Sequence, residues 1–405
     1  MKPRLVILGS GFGSFSFLKQ LHISAYDVTL ISPRNHFLFT PLLPSTIVGT
    51  IEFRSIIEPV RHVHSQLKFI MTKAETVDVK KKLVQCRSVG DDQTFTVPYD
   101  RLVIGVGEGT NTYNIEGVKA HAHFLKELSH GRRIRTGVLT LFEEVSLPTC
   151  APEEKRRKLH LVVVGGGPTG IEIAAELHDF VVQDVCCYYP DLEPLVRVTL
   201  VEAGAEILTA FDQRLRQAAE RLFKRQRISI LTGDPVVSVN RDEVHLSSGK
   251  ILSYGLLLWA TGNAPHPFVR NLPFPHSPEG RLVVDQFLRV SGQKDIYALG
   301  DCAAVKHQHL LPTAQVAMQQ GKYLARVFNG KYKDRPFVFR SLGMLAYVGS
   351  DRALVESRGL HASGRLAWLF WRSVYLTRLV RLRNKVRVLV DWALNAIFGR
   401  DVSQF

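Results

Sequence analysis

No run of about 18 uncharged apolar residues occurs in this 405-residue chain, so a membrane-spanning helix is not expected. Cysteine pairs are missing too. Cys86, Cys150, Cys186, Cys187 and Cys302 form no C-x-x-C or C-x-x-x-x-C pair, which removes the usual signal of a zinc site or a redox-active disulfide. No metal is expected, and the thiols read as buried or idle in a reducing compartment. Acid is scarce relative to base: 37 Asp and Glu stand against 52 Lys and Arg, a formal net charge of +15. That balance favours an anionic partner, either nucleic acid or an acidic lipid surface, without choosing between them. A hydrophobic content of 45% excludes a disordered protein, and the length suits two or three domains. The chain opens almost directly on an apolar strand, so no signal or transit peptide is expected within it.

What is present is a signature that occurs twice. Arg4-Leu-Val-Ile-Leu8 runs into Gly9-Ser10-Gly11-Phe12-Gly13-Ser14, and Leu161-Val-Val-Val164 runs into Gly165-Gly166-Gly167-Pro168-Thr169-Gly170. In such a turn the first glycine permits the tight bend and the second lets backbone N–H groups approach a pyrophosphate, while the following helix N-terminus adds partial positive charge. Two such loops on one chain, each between an apolar strand and an amphipathic helix, indicate a flavoprotein with FAD at one site and a nicotinamide nucleotide at the other.

The first unit continues through a helix over Phe12–Leu21 to a strand at Val28–Ile31. A carboxylate usually ends that strand and takes the ribose hydroxyls. Here Ser32-Pro33-Arg34 follows, so the adenosine end is assigned to a hydroxyl and backbone groups, with Arg34 near the phosphates. Ser14 replaces the third glycine, whose role is helix–strand packing. The stretch from Leu67 to Pro98 has the alternation of a β-meander inserted into the domain, and Val77 within it is placed among the cofactor contacts. Beyond the charged linker Glu153–Lys158, Glu172 lies close behind the second loop. The strand Val198–Val201 ends in Glu202, 32 positions after Gly170. A carboxylate there binds the ribose hydroxyls of NAD and repels the 2′-phosphate of NADP, so NADH is the expected nucleotide. Thr261-Gly262 closes the second unit, and Gly300-Asp301, before Ala314, stands where two-dinucleotide flavoproteins place an aspartate on the ribityl chain of FAD, so Asp301 is expected to take that role.

The expected fold is α/β, with two Rossmann-like dinucleotide-binding domains, the second inserted in the first. Residues 1–150 and 266–335 form the FAD domain, 151–265 the NADH domain, and 336–405 a C-terminal amphipathic membrane-docking and quinone-site segment. In that last segment Trp368, Trp371, Tyr375, Leu379, Leu382, Val386, Leu389, Ala393 and Ile397 make an apolar stripe at helical spacing. Arg372, Arg378, Arg381, Arg383, Lys385, Arg387 and Arg400 outnumber Asp391 and Asp401 on its other faces. Such a helix fits an interface with anionic headgroups; a core-packing or dimer helix is the alternative.

Phe37-Leu-Phe-Thr40-Pro41-Leu-Leu-Pro44-Ser-Thr-Ile-Val-Gly-Thr50, Ser55-Ile-Ile-Glu-Pro59, Val163-Val-Gly-Gly-Gly-Pro-Thr-Gly-Ile-Glu172 and Ala314-Gln315-Val-Ala-Met-Gln319-Gln-Gly321 resemble type II NADH dehydrogenases, the single-subunit, non-pumping NADH:quinone oxidoreductases. The similarity spans nearly the whole chain and is nearest the mitochondrial members. It implies non-covalent FAD, hydride delivery from NADH, and two-electron reduction of a membrane quinone. Thr40 and Pro41 match the segment lining the flavin ring, Glu172 lies near the nicotinamide and flavin, and Gln315 and Gln319 match the quinone site. It further implies peripheral attachment to the mitochondrial inner membrane, or to the cytoplasmic face of a prokaryotic inner membrane, with no nucleic acid bound and a homodimer allowed. An apoptosis-inducing-factor-like or ferroptosis-suppressor-like quinone reductase, a disulfide or sulfide oxidoreductase, and a weakly active redox-sensing flavoprotein are the competing readings.

Overall fold

The computed structural model describes residues 1–357 and 359–403. They fall into two compact units, one made of Met1–Leu38, Ile57–Gly109 and Asn263–Ser341, the other of Phe39–Ile56, Thr110–Gly262 and Leu342–Phe405. The ranges expected from sequence change at 150, 265 and 335. The compact units change at 109, 262 and 341, and residues 39–56 group with the second.

The first unit is built on a seven-stranded sheet in the order Ile296–Ala298, Arg101–Ile104, Arg4–Leu8, Asp27–Ser32, Lys68–Asp78, Leu83–Ser88, Thr94–Pro98. The first five strands run parallel and the last two antiparallel. Leu5 to Leu8 are buried on both faces, as the centre of a parallel sheet demands. The expected meander is therefore an extension of this sheet: Thr29 pairs with Lys68 and Ser32 with Met71 before the long strand turns into the hairpin. Helix Phe12–Gln20 packs closely on helix Ala314–Phe328. A Cβ at Gly321 would stand 2.2 Å from the Gly13 carbonyl oxygen, so no larger residue fits at that crossing.

In the second unit a five-stranded parallel sheet runs in the order His123–Phe124, Leu256–Trp259, His160–Val164, Arg197–Glu202, Ser229–Thr232. The expected linker is a helix, Pro152–Lys158. Proline at its start, acids in its first turn and bases in its last suit its termini. Helix Pro168–Phe180 follows the second loop and runs on through a π-helical turn, Val181–Val185. That turn and the short helical segments to Leu195 occupy the extra stretch that separates Gly170 from Glu202.

Past residue 341 the chain forms an antiparallel sheet of Met344–Gly349, Arg352–Ser357 and Leu360–Gly364, then two helices, Arg365–Arg378 and Leu382–Phe398. The single continuous helix suggested by the stripe is thus broken. Leu379 turns to extended backbone and buries its side chain, and Arg381 is extended as well. The stripe is divided in role too. Trp371 and Leu379 are buried, whereas Leu382, Val386, Leu389 and Ile397 are exposed. Helix 382–398 instead buries Asn384, Val388 and Trp392. Asn384 Nδ2 donates to the Ser55 carbonyl at 3.1 Å, Ser55 Oγ donates to Asp391 at 2.7 Å, and Asn395 Nδ2 donates to the Gly49 and Thr50 carbonyls. The Arg372 guanidinium lies between two indoles, 3.8 Å from the Trp368 ring centre and 4.6 Å from that of Trp392, and joins the two helices. Among the described residues no helix is long and apolar enough to cross a membrane.

Candidate dinucleotide and redox sites

The first glycine loop has the form a pyrophosphate needs. Gly9 adopts a φ of +91°, and a Cβ there would stand 2.4 Å from the Gly105 carbonyl oxygen. Its N–H donates to Ile31, which ties the loop to the second strand. Helix Phe12–Gln20 begins after Gly11 with no capping side chain and no acid in its first turn, and a terminus of that kind suits phosphate oxygens. Gly13 leaves room for Leu299, whose Cδ1 would come within 2.1 Å of a Cβ there. Ser14 is fully buried, its Oγ has no hydrogen-bond partner, and it fills the space left open by Gly105. The departure from a third glycine is thus matched by a second glycine across the packing.

At the end of the strand Asp27–Ser32 the missing carboxylate is replaced by a buried hydroxyl pair. Ser10 and Ser32 lie 3.0 Å apart, Ser10 Oγ donates to the His36 carbonyl at 3.2 Å, and the Arg34 N–H donates to Ser32 Oγ at 3.2 Å. Arg34 therefore begins a turn that Ser32 caps. Val77 lies apart. The strand pairs with Asp27–Ser32 only as far as Met71, and Val77 pairs with Val84 and packs its side chain in the sheet core, which leaves only its backbone for a cofactor contact.

Gly300, at φ +73°, turns the chain into Asp301, and its N–H donates to Oε1 of Gln320 at 2.7 Å. Gln320 is buried and was not singled out by sequence; Gln315 and Gln319 were. Their spacing does place both on helix 314–328, but the Gln319 amide is committed to the Arg340 backbone. Its Nε2 donates to the carbonyl at 2.8 Å and its Oε1 accepts the N–H at 3.0 Å. Gln319 thereby clips the Arg340 backbone to the helix, while both Gln315 and Gln319 remain quinone-site candidates. Ala314 opens the helix behind the cap residue Thr313.

The second loop repeats the design with tighter control. Gly165 has a φ of +117°, and a Cβ on Gly170 would stand 1.9 Å from the Gly165 carbonyl oxygen. Only glycine allows that helix start. Nothing lies within 4 Å of a Cβ built on Gly167, so the open space above it is available to a ligand. Pro168 and Thr169 are exposed in the first turn. Glu202 stands where the sequence put it, and its two oxygens accept the Gly166 N–H at 2.5 Å and the Gly204 N–H at 2.7 Å. The carboxylate thus orients the loop. Thr261 closes on Gly165, and Gly262 has a φ of +73°.

Behind this loop, helix 168–180 carries a row of buried acids, Glu172, Glu176 and Asp179, extended by Asp184 in the π turn. Glu172 Oε1 accepts the Tyr347 N–H at 3.1 Å. Burial lifts its pKa to about 8, opposed by that N–H and by Trp371 and reinforced by Glu176. Glu172 is no solvated helix-end acid; it holds a proton near neutral pH. Ser45 donates to Glu176 Oε1 at 2.6 Å and Thr50 to its Oε2 at 3.1 Å. The Tyr347 hydroxyl donates to Asp179 Oδ2 at 2.7 Å, and the Ser350 N–H to the same oxygen at 2.7 Å. Tyr375 packs edge-on against Trp371, ring centres 4.8 Å apart, and burial raises its pKa with help from Glu172. Thr40 and Pro41 begin a short helical turn at the head of the 39–56 segment. The i, i+4, i+7 spacing of the acids was readable in sequence as one helix face, but its burial depends on residues some 170 positions away.

The geometry has counterparts in known proteins. Residues 3–321 match the pyridine nucleotide-disulphide oxidoreductase family, and 342–401 match the NDH2 C-terminal domain. A probable NADH dehydrogenase of Dictyostelium discoideum is 44% identical over 412 residues, covering 99% of this chain and 91% of that protein. An internal alternative NAD(P)H-ubiquinone oxidoreductase, mitochondrial, of Solanum tuberosum is 40% identical over 439 residues, covering 100% and 88%. The structure of NDH2 from Plasmodium falciparum in complex with NADH superposes with a TM-score of 0.96 at 29% identity, covering 100% of both chains.

Proposed function

The chain belongs to the pyridine nucleotide-disulphide oxidoreductase family and carries an NDH2 C-terminal domain, and we infer that it is a type II, non-proton-pumping NADH:quinone oxidoreductase that uses FAD. The observation that carries this is the pair of glycine loops, one in each compact unit, each opening a helix N-terminus with room for phosphate. A bound flavin would supply the two-electron chemistry that links NADH oxidation to quinone reduction. Gly9, Gly11, Phe12 and Gly13 hold its pyrophosphate, Ser32 and Arg34 its adenosine end, and Gly300, Asp301 and Ala314 the ribityl side. Thr40 and Pro41 line the ring. Gly165, Gly167, Pro168, Thr169 and Gly170 hold the NADH phosphates, Thr261 and Gly262 close that site, and Glu202 takes the adenosine ribose. Glu172 holds or releases a proton at its carboxyl during the two half-reactions, and Gln315 faces the quinone.

Residues 1–150 and 266–335 serve FAD, 151–265 NADH, and 336–405 the membrane and quinone. Helix 382–398 supports that last assignment: it is held to the protein by Val388, Trp392, Asn384 and Asp391 while Leu382, Val386, Leu389 and Ile397 of its apolar stripe stay exposed. We assign it to the surface of the mitochondrial inner membrane, with anionic headgroups met by Arg378, Arg381, Arg383, Lys385 and Arg387. A homodimer across the same stripe is the alternative. The mitochondrial assignment rests on relatives such as the potato enzyme. The deciding experiment is an anaerobic NADH titration with and without a short-chain quinone. Flavin bleaching by about one equivalent of NADH, reversed by quinone, is expected; bleaching that quinone fails to reverse overturns the reading.

A further inference from the structure

Arg400 was grouped by sequence with the lipid-facing cations, but it does not face outward. Gly399, at φ +77°, ends helix 382–398 and turns the chain back. The Arg400 N–H then donates to Asp184 Oδ1 at 2.7 Å and its Nη1 to Asp184 Oδ2 at 2.8 Å. Its Nε donates to Thr50 Oγ1 at 3.0 Å, and the same hydroxyl donates to Glu176 Oε2. Both partners of this ion pair are almost wholly buried, with side-chain exposures of 11% and 9%. A buried pair with added hydrogen bonds on each side is a site at which losing one partner is costly.

We propose that Arg400 is a positioning residue for the redox site: through Asp184 and Thr50 its guanidinium supplies the positive charge beside the carboxylates of helix 168–180, and it thereby sets the charge state in which Glu172 works. This rests on the role given to Glu172 above. The groups that face Glu176 are Arg400, Ser45 and Thr50, Glu172 and Asp179 on its own helix, Tyr347 from strand 344–349, and Arg372 from helix 365–378. Burial raises the Glu176 pKa, and Arg400 is the largest influence holding it down. Burial likewise works against the Arg400 charge, but Glu176 and Asp184 outweigh it and the guanidinium pKa rises. Glu176 in turn raises Glu172. The sign follows from this order. Loss of the cation favours a proton on Glu176, which weakens its repulsion of an ionised Glu172, so Glu172 gives up its proton at lower pH.

The test is the pH profile of flavin reoxidation by a water-soluble quinone, measured by stopped flow on full-length, flavin-loaded protein with liposome retention recorded alongside. Arg400→Gln is expected to move the apparent pKa acidward by on the order of one unit, with liposome retention unchanged. Arg400→Lys should keep the original profile. Glu176→Gln reaches the same neutral state by an isosteric change and should reproduce the acidward shift even if Arg400→Gln fails to fold. An unmoved profile in Glu176→Gln, or an equal shift in Arg400→Lys and Arg400→Gln, overturns the proposal. Glu172→Gln separates this from its premise: if that variant leaves the profile intact, the role of Glu172 is wrong; if it abolishes the profile while Glu176→Gln does not move it, only the role of Arg400 is.

Discussion

The Tyr347 backbone N–H donates to Glu172 at 3.1 Å, while the same residue's hydroxyl donates to Asp179 at 2.7 Å. One residue of an edge hairpin thus spans two acids of the nucleotide-domain helix. Because the Glu172 pKa is lifted from 4.5 to about 8, the native protein holds a proton that the unfolded chain releases between those values. The stability from this group is complete below about 4.5 and is lost as pH rises through about 8. Glu172→Gln should therefore flatten the pH dependence of the melting temperature between about 5 and 8. It should also remove the decline of quinone-driven reoxidation above about pH 8. A melting curve as steep in pH as that of the unmodified protein would assign the decline to another group.

Turnover should favour NADH over NADPH by at least about tenfold, since one unpaired charge in the Glu202 pocket is worth roughly 1.4 kcal/mol or more. Glu202→Gln should narrow that preference. It should also raise the KM for NADH, because a carboxamide keeps one acceptor oxygen where the carboxylate now takes both Gly166 and Gly204. Equal rates with both nucleotides in the unmodified protein would remove the assignment.

Gly167→Val should slow flavin reduction by NADH and leave flavin content and melting temperature nearly intact, since the protein itself places nothing near the added side chain. Gly170→Ala, by contrast, meets the Gly165 carbonyl and should unfold the loop. Gln315→Ala should slow reoxidation by quinone with the NADH step preserved. Gln319→Ala should cost about 1–2 kcal/mol of stability through its two lost backbone bonds. If Gln319→Ala were fully stable but slow only with quinone, its contact with Arg340 would be incidental.

Replacing Leu382, Leu389 and Ile397 together by serine should reduce retention on anionic liposomes and sharpen its salt dependence, with flavin content unchanged. Activity with a water-soluble quinone should outlast activity with a long-tailed one. Truncating the segment is a poorer test, because it also strips hydrogen bonds from Gly49, Thr50 and Ser55. Undiminished liposome retention in the triple variant would turn the stripe into a contact between protein copies.

What the sequence revealed tracks how local each determinant is. Both glycine loops, Glu202 and the Gly300-Asp301 turn were legible because a few adjacent residues dictate them. The apolar stripe was legible as periodicity, but not its break at Leu379, where burial of one side chain overrides helical continuation. Gln319 shows the limit of spacing: it shares a face with Gln315, yet Arg340, beyond the helix, claims its amide. Arg400 shows it again, since its charge joined a basic segment by sequence while Asp184, more than 200 positions earlier, receives it.

The Arg372 clasp has an optical consequence. Of the four tryptophans in the chain, Trp368, Trp371 and Trp392 all lie in the paired C-terminal helices, and only Trp259 lies elsewhere. Two of the three sandwich a guanidinium and the third packs against Tyr347 and Tyr375. Intrinsic fluorescence is consequently a built-in reporter of that helical pair, and the emission of Trp368 and Trp392 will register any parting of one helix from the other.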